Sequence, residues 1–219
     1  MQIVSIDIET TGTDAAVDQV IEFGAIIYDF NEKKERLEDC KTFRRILKHQ
    51  RYSGNAFAIN LNQRIFQILA GIEKQRGEKE KLDYMDANSI IDFWNLATEF
   101  HFWLYKNCIW DGTGSAEELY VKGPNKEKIS INAAGKNFGT FDKNFLDRLP
   151  GWDKFFRVRQ RILDPAILWA DLKKDKELPN MEECKRRAGF ANTEVSHCAL
   201  DDAWDVIKLI EVYNEKCGA

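Results

Sequence analysis

The opening run Gln2-Ile-Val-Ser-Ile-Asp7 is apolar and β-branched and breaks at Thr10-Thr11-Gly12, and a second such run fills Val20 to Phe30 around Ile26-Ile27-Tyr28. Runs of this kind bounded by turn residues predict two strands, antiparallel and joined by a loop. Lys41 to Lys48 predicts a third, in which Phe43, Arg45 and Leu47 alternate with Thr42, Arg44 and Ile46. Its basic residues suit either a solvated edge or a substrate rim. From Arg51 to about Asn107 the period lengthens. Phe57, Leu61, Ile65, Ile68 and Leu69 recur at threes and fours, as Ile91, Phe93, Leu96, Phe100 and Leu104 do less strictly, which predicts amphipathic helices. The Lys- and Glu-dense stretch Glu73 to Lys81 between them reads as a solvated turn or helix end.

Trp110 to Lys128, punctuated by Gly112, Gly114, Gly123 and Pro124, predicts a loop with a short strand at Leu119 to Lys122. Then come an apolar strand, Ile129-Ser-Ile-Asn-Ala133, and a helix containing Phe141, Phe145 and Leu146. Ile162-Leu163-Asp164-Pro165 marks a strand end, and Asn180 can cap a helix over Met181 to Ala188. A last helix runs from about His197 to Tyr213 on the stripe Leu200, Ala203, Val206, Ile207 and Ile210. Strands first, then strand and helix alternating, predict an α/β fold, a mixed sheet with helices on its faces. The 219 residues suit a single domain, with residues 51–128 as a partly helical insertion.

Composition narrows the class. A hydrophobic fraction of 44% and a charged fraction of 31% suit a globular protein, and no apolar run approaches the roughly 18 residues of a membrane span. Met1 to Gly12 lacks the features of a signal peptide, so the expected compartment is the cytoplasm. Cys40, Cys108, Cys184, Cys198 and Cys217 are odd in number and scattered, which predicts neither a disulfide framework nor a zinc cluster. The net charge of −4 argues against broad duplex binding, which relies on Lys and Arg. It is compatible with a site that holds a few nucleotides through metal.

Asp7 and Glu9 stand two apart at a strand end, so their side chains share a face. Two carboxylates held together repel unless a cation lies between them, and a hard divalent ion such as Mg²⁺ or Mn²⁺ prefers such oxygens and substrate phosphate. Asp142 follows an apolar strand at a helix start, where the helix dipole alone would favour an acid. His197 and Asp202, five apart near a helix start, can reach one site if His197 lies at the cap or in the preceding loop. Each feature alone has a structural explanation; three segments presenting acids in one order make coincidence a poor account.

The segments Ser5-Ile-Asp7-Ile-Glu9-Thr-Thr-Gly12, Asn137-x-x-x-Phe141-Asp142-x-x-Phe145-Leu146 and His197-x-Ala199-x-x-Asp202 closely resemble the three motifs of the DEDDh 3′-to-5′ exonucleases. RNase T, oligoribonuclease and the proofreading subunit of bacterial replicative polymerase belong to that family. The resemblance implies a ribonuclease H-like sheet of about five strands with strand two antiparallel. It implies that Asp7, Glu9, Asp142 and Asp202 hold two divalent cations, with His197 as general base. The implied substrate is single-stranded DNA or RNA, or a short oligonucleotide, with a free 3′ end, cut to nucleoside 5′-monophosphates. In such a two-metal scheme one ion acidifies a water and the other stabilises the leaving oxygen. Thr10, Thr11 and Asn137 become candidate substrate contacts, and a homodimer is an arrangement the family often uses. Two departures stand out: Lys136 occupies the place of a frequent His, and three residues rather than two separate Asn137 from Phe141.

Two other readings compete. Asp7-x-Glu9-x-Thr11 with Asp201-Asp202 also resembles haloacid-dehalogenase-type phosphatases, although that class wants Asp where Glu9 stands and has no use for His197. A catalytically silent binding module of the same fold is the other, and it would normally have lost one of the five residues.

Overall fold

Residues 1–107 and 128–217 are described by a computed structural model. The strand expected at Leu119 to Lys122, and all of the expected 110–128 loop but Lys128, lie outside the described residues. The apolar start folds as β1 (Gln2–Thr10) and pairs antiparallel with β2 (Val20–Asp29), which pairs antiparallel with β3 (Lys41–Lys48). Helices α1 (Ala56–Leu61), α2 (Gln63–Ala70) and α3 (Glu78–Ala87) lead into β4 (Ile90–Asp92), parallel to β3, and then α4 (Leu96–Asn107). After β5 (Ile129–Ile131), β6 (Ala133–Ala134) joins β1 in parallel, completing a mixed five-stranded sheet of order β4-β3-β2-β1-β6. The chain continues through α5 (Asp142–Leu146), α6 (Trp152–Phe155), β7 (Phe156–Val158), α7 (Pro165–Leu168), α8 (Met181–Ala188) and α9 (Ala199–Cys217).

Alternation along β1 and β2 divides the core. Val4, Ile6, Ile8, Phe23 and Ala25 point to one side and pack with Leu96, Phe100 and Leu104 of α4 and with Trp152. Phe100 stacks on Trp152 at 5.8 Å and meets Phe23 edge-on at 4.8 Å, geometry that aromatic pairs favour. Ile3, Ile26 and Tyr28 belong to the other side, against Val206, Ile207 and Ile210 of α9 and Met181 and Cys184 of α8. Ser5, Asp7 and Glu9 share the parity of Ile3, so the acids are carried on the α9 side. Among the described residues no helix is long and apolar enough to cross a membrane.

Three local expectations need correction. Residues 129–133 are not one strand: β5 pairs with β7 in a separate two-stranded sheet, β6 pairs with β1, and the switch falls at Asn132, whose carbonyl accepts from Val4 N–H at 2.9 Å. Ile91 lies in β4, a strand of three residues that is too short to show a period of two. The charged stretch 73–81 is as read, an exposed turn running into a helix end, with α3 starting at Glu78. Phe57 is no core residue, since it is 77% exposed, and Leu61 is 39% exposed. Asn180 does cap α8, accepting from Glu183 N–H at 2.9 Å.

One ion-pair cluster ties α8 to the loop before it. Arg187 donates to both oxygens of Asp175, at 2.6 and 2.7 Å, and to Glu183 at 2.7 Å. Hydrogen bonding from Arg187 holds Asp175 down at about 2, and Arg186 with Arg187 holds Glu183 at about 2. Carboxylates depressed on folding stabilise the fold above their ordinary value near 4, and that contribution is lost as pH falls toward 2. The melting-temperature deficit of Arg187→Ala should therefore be larger at pH 7 than at pH 2.5. Thermal melts at the two pH values check this, and an equal deficit at both refutes it.

Candidate metal and phosphodiesterase site

At the carboxyl end of β1, Asp7 and Glu9 project toward α9. Asp142, at the start of α5, is buried and its Oδ1 accepts from Ile8 N–H at 3.2 Å, which inserts it against β1 between those two acids. The turn that delivers it closes on Asn137, in left-handed conformation with φ 57, whose carbonyl accepts from Thr140 and Phe141 N–H. Asn137 N–H is in turn held by Asp164 at 2.9 Å, and its side-chain oxygen accepts from Lys136 Nζ at 2.8 Å.

From the other end of the chain, α9 supplies Asp202 in its first turn. Ser196 fixes that carboxylate, donating through Oγ at 3.0 Å, and Ser196 Oγ accepts from Cys198 N–H at 3.2 Å. Between them His197 adopts φ 53, a left-handed conformation that non-glycine residues seldom take and that tends to occur at functional sites. The loop carrying it is anchored by Lys185, whose buried ammonium donates to Glu194 O and Asp205, each at 2.6 Å. Glu9, His197 and Asp202 each offer a ligand atom within 4.8 Å of the others.

Electrostatics describes the same cluster. Burial, then Asp142, Asp202, Glu9 and Glu22, pushes Asp7 well above the ordinary carboxylate range. Glu9 is raised to about 8 by burial, Asp202 and Glu22, against smaller lowering by Asn62 and Arg64. Burial lifts Asp142 to about 7 even though backbone N–H groups favour its charged form, and burial raises Asp202 as well. Four crowded carboxyls held above their ordinary values make a place where cations relieve the repulsion. An all-oxygen carboxylate set fits hard divalent ions such as Mg²⁺ or Mn²⁺ better than soft ones.

Thr10 and Thr11 are both buried in the turn at the rim. Thr10 Oγ donates to Gly12 O at 2.6 Å, and Thr11 Oγ accepts from Gln19 N–H at 2.9 Å. Thr11 O accepts from Asn55 N–H at 2.9 Å, which brings the start of α1 against the site with Phe57 turned to solvent. Three residues here escape motif reasoning: Glu22, Asn62 and Lys185. Asn62 is buried and donates to Thr10 O at 3.2 Å, and Glu22 is wholly buried, opposite Glu9 in the β1–β2 ladder.

The family model for an exonuclease of RNase T type matches residues 4–108. Over that span the chain is similar to the exonucleases of the RNase T family. That span holds Asp7 and Glu9, while Asp142, His197 and Asp202 lie beyond it and join through the fold. Solved nuclease structures share the chain's mixed five-stranded α/β fold. Cell-death related nuclease 4 superposes with a TM-score of 0.59 at 13% identity, over 99% of this chain and 64% of that one. Exonuclease I from Methylocaldum szegediense gives 0.58 at 14%, over 100% of this chain and 41% of that one. E. coli Exonuclease I in complex with a 5cy-dT13 oligonucleotide gives 0.57 at 13%, over 99% and 41%. The chain thus spans just under two thirds of the first and about two fifths of the others. No curated protein matches it in sequence. Neither comparison that matched points to a haloacid-dehalogenase-type phosphatase.

Proposed function

We propose that this domain is a metal-dependent 3′-to-5′ exonuclease that removes nucleoside 5′-monophosphates from single-stranded DNA or RNA, or from short oligonucleotides. The observation that carries the reading is the convergence of Asp7, Glu9, Asp142 and Asp202 from three separate elements, with His197 among them. Asp7, Glu9, Asp142 and Asp202 would hold two divalent cations, Mg²⁺ or Mn²⁺. Such ions supply Lewis-acid chemistry, lowering the pKa of a water and offsetting charge on the phosphate under attack. His197 accepts the proton of the attacking water, a task that suits an imidazole nitrogen held beside the carboxylates. Ser196 and the helix start fix Asp202 beside it, and Asp142 braces β1 from the other flank.

Substrate binding follows from the rim. Thr10 and Thr11 set the shape of the mouth, Asn137 holds the turn on the opposite flank, and the exposed ring of Phe57 offers a base a face on which to stack. Such stacking is worth about 1–3 kcal/mol per base and tolerates any sequence. Phe57→Ala should raise the KM for an oligonucleotide roughly 5- to 160-fold while changing kcat little, in steady-state kinetics. A KM within twofold of wild type removes Phe57 from the binding surface. The exonuclease I structures solved with oligonucleotides support a single-stranded substrate.

The function is tested by incubating the purified protein with 5′-labelled single-stranded DNA and RNA, with Mg²⁺, Mn²⁺ or EDTA. A ladder shortening from the 3′ end with metal and blocked by EDTA is expected, and its DNA-to-RNA ratio reports sugar preference. An inert protein under every metal condition points to the silent binding module of the same fold.

A further inference from the structure

The two β2 residues opposite the paired acids of β1 are not ordinary strand residues. Asp7 pairs with Gly24 and Glu9 with Glu22. Gly24 lies directly beneath the start of α9: a Cβ there would stand 2.4 Å from the Ala199 carbonyl carbon and 2.5 Å from Leu200 N. Glu22, 0% exposed, accepts from Ala199 N–H at 3.1 Å, satisfying a donor that the first turn leaves free. Its charge is balanced by Arg44 Nε at 2.8 Å and Arg64 Nη2 at 2.9 Å. Helix α9 is the element that carries Asp202, and the turn that holds His197 ends where Glu22 grips it.

We propose that Glu22, with Gly24 as its seat, is the positioning residue of this site, setting the distance between the β1 carboxylates and the His197–Asp202 pair. The inference rests on the exonuclease reading above. The same ladder register fixes both halves: β1 delivers Asp7 and Glu9, and their direct partners on β2 dock α9. Arg44 on β3 and Arg64 on α2 hold the carboxylate from behind, so the helix start is tied to three neighbouring elements rather than to one.

Glu22→Ala is compared with wild type for kcat and KM on an oligonucleotide, for Mn²⁺ affinity by electron paramagnetic resonance titration, and for thermal stability. Loss of a group that orients metal ligands typically costs about 10–100-fold in metal affinity or activity. The expected result is a fall of that size in kcat and in Mn²⁺ affinity, with oligonucleotide KM within about twofold. A purely structural ion pair would lower the melting temperature and leave Mn²⁺ affinity of the folded protein unchanged, which overturns the proposal. If Glu22→Ala does not fold, Glu22→Gln replaces it, keeping the shape and removing the charge: weakened Mn²⁺ affinity supports the proposal and unchanged affinity overturns it. Wild type lacking nuclease activity would instead fail the exonuclease reading, which separates the two outcomes.

Discussion

Asp7→Asn should reduce exonuclease turnover by about a thousandfold or more. The carboxylate stands at the centre of the cluster, and losing several kcal/mol of stabilisation of the reacting phosphate corresponds to that factor at 1.36 kcal/mol per tenfold. Mn²⁺ affinity should fall with it. In metal-free buffer, however, the variant should melt no lower than wild type. Burial and four neighbouring acids already penalise the charged form of Asp7, so an uncharged amide of the same shape removes repulsion rather than support. Sites built for chemistry commonly trade stability in this way. Turnover above a tenth of wild type would take Asp7 out of the metal site, and a lowered metal-free melting temperature would show that its contribution is to folding.

His197→Ala should lower kcat about 10²–10⁴-fold, the range that a positioned general base contributes. Mn²⁺ affinity and oligonucleotide KM should stay within a few-fold of wild type, and the rise of rate with pH that a base imparts should flatten. His197 stands close enough to Glu9 and Asp202 to act as a ligand instead. In that case Mn²⁺ affinity would drop together with the rate, and the assignment as base would fall. Measuring affinity and pH profile on the same variant separates the two roles.

The acids were legible because they end apolar runs. Asp7 and Glu9 close a strand, Asp142 opens a helix after another, and His197 stands just before the last helix, whose first turn holds Asp202. Chain order and local spacing carried that information. Glu22 was not legible, although a single acid inside Val20-Ile-Glu-Phe-Gly-Ala-Ile-Ile-Tyr28 was the available signal. A buried charge is tolerated when it is paired, and its partners Arg44, Arg64 and Ala199 lie 22, 42 and 177 positions away, beyond any local pattern. Phe57 shows the opposite failure. Its spacing matches the stripe of Ile65 and Leu69, but α1 ends at Leu61 and a new helix starts at Gln63, so the apolar faces do not run on in register. Likewise the split of residues 129–133 between two sheets depends on what pairs with each half, which a run of apolar letters does not encode.

That the acidic cluster joins residue 7 to residue 202 has a consequence for timing. A ribosome adding about 5–20 residues per second needs on the order of 10–40 s to travel from Glu9 to Asp202. Until that interval ends Asp202 does not yet exist, although by then all five strands of the sheet have been made. The acidic cluster is therefore complete only when the last long helix settles on Gly24.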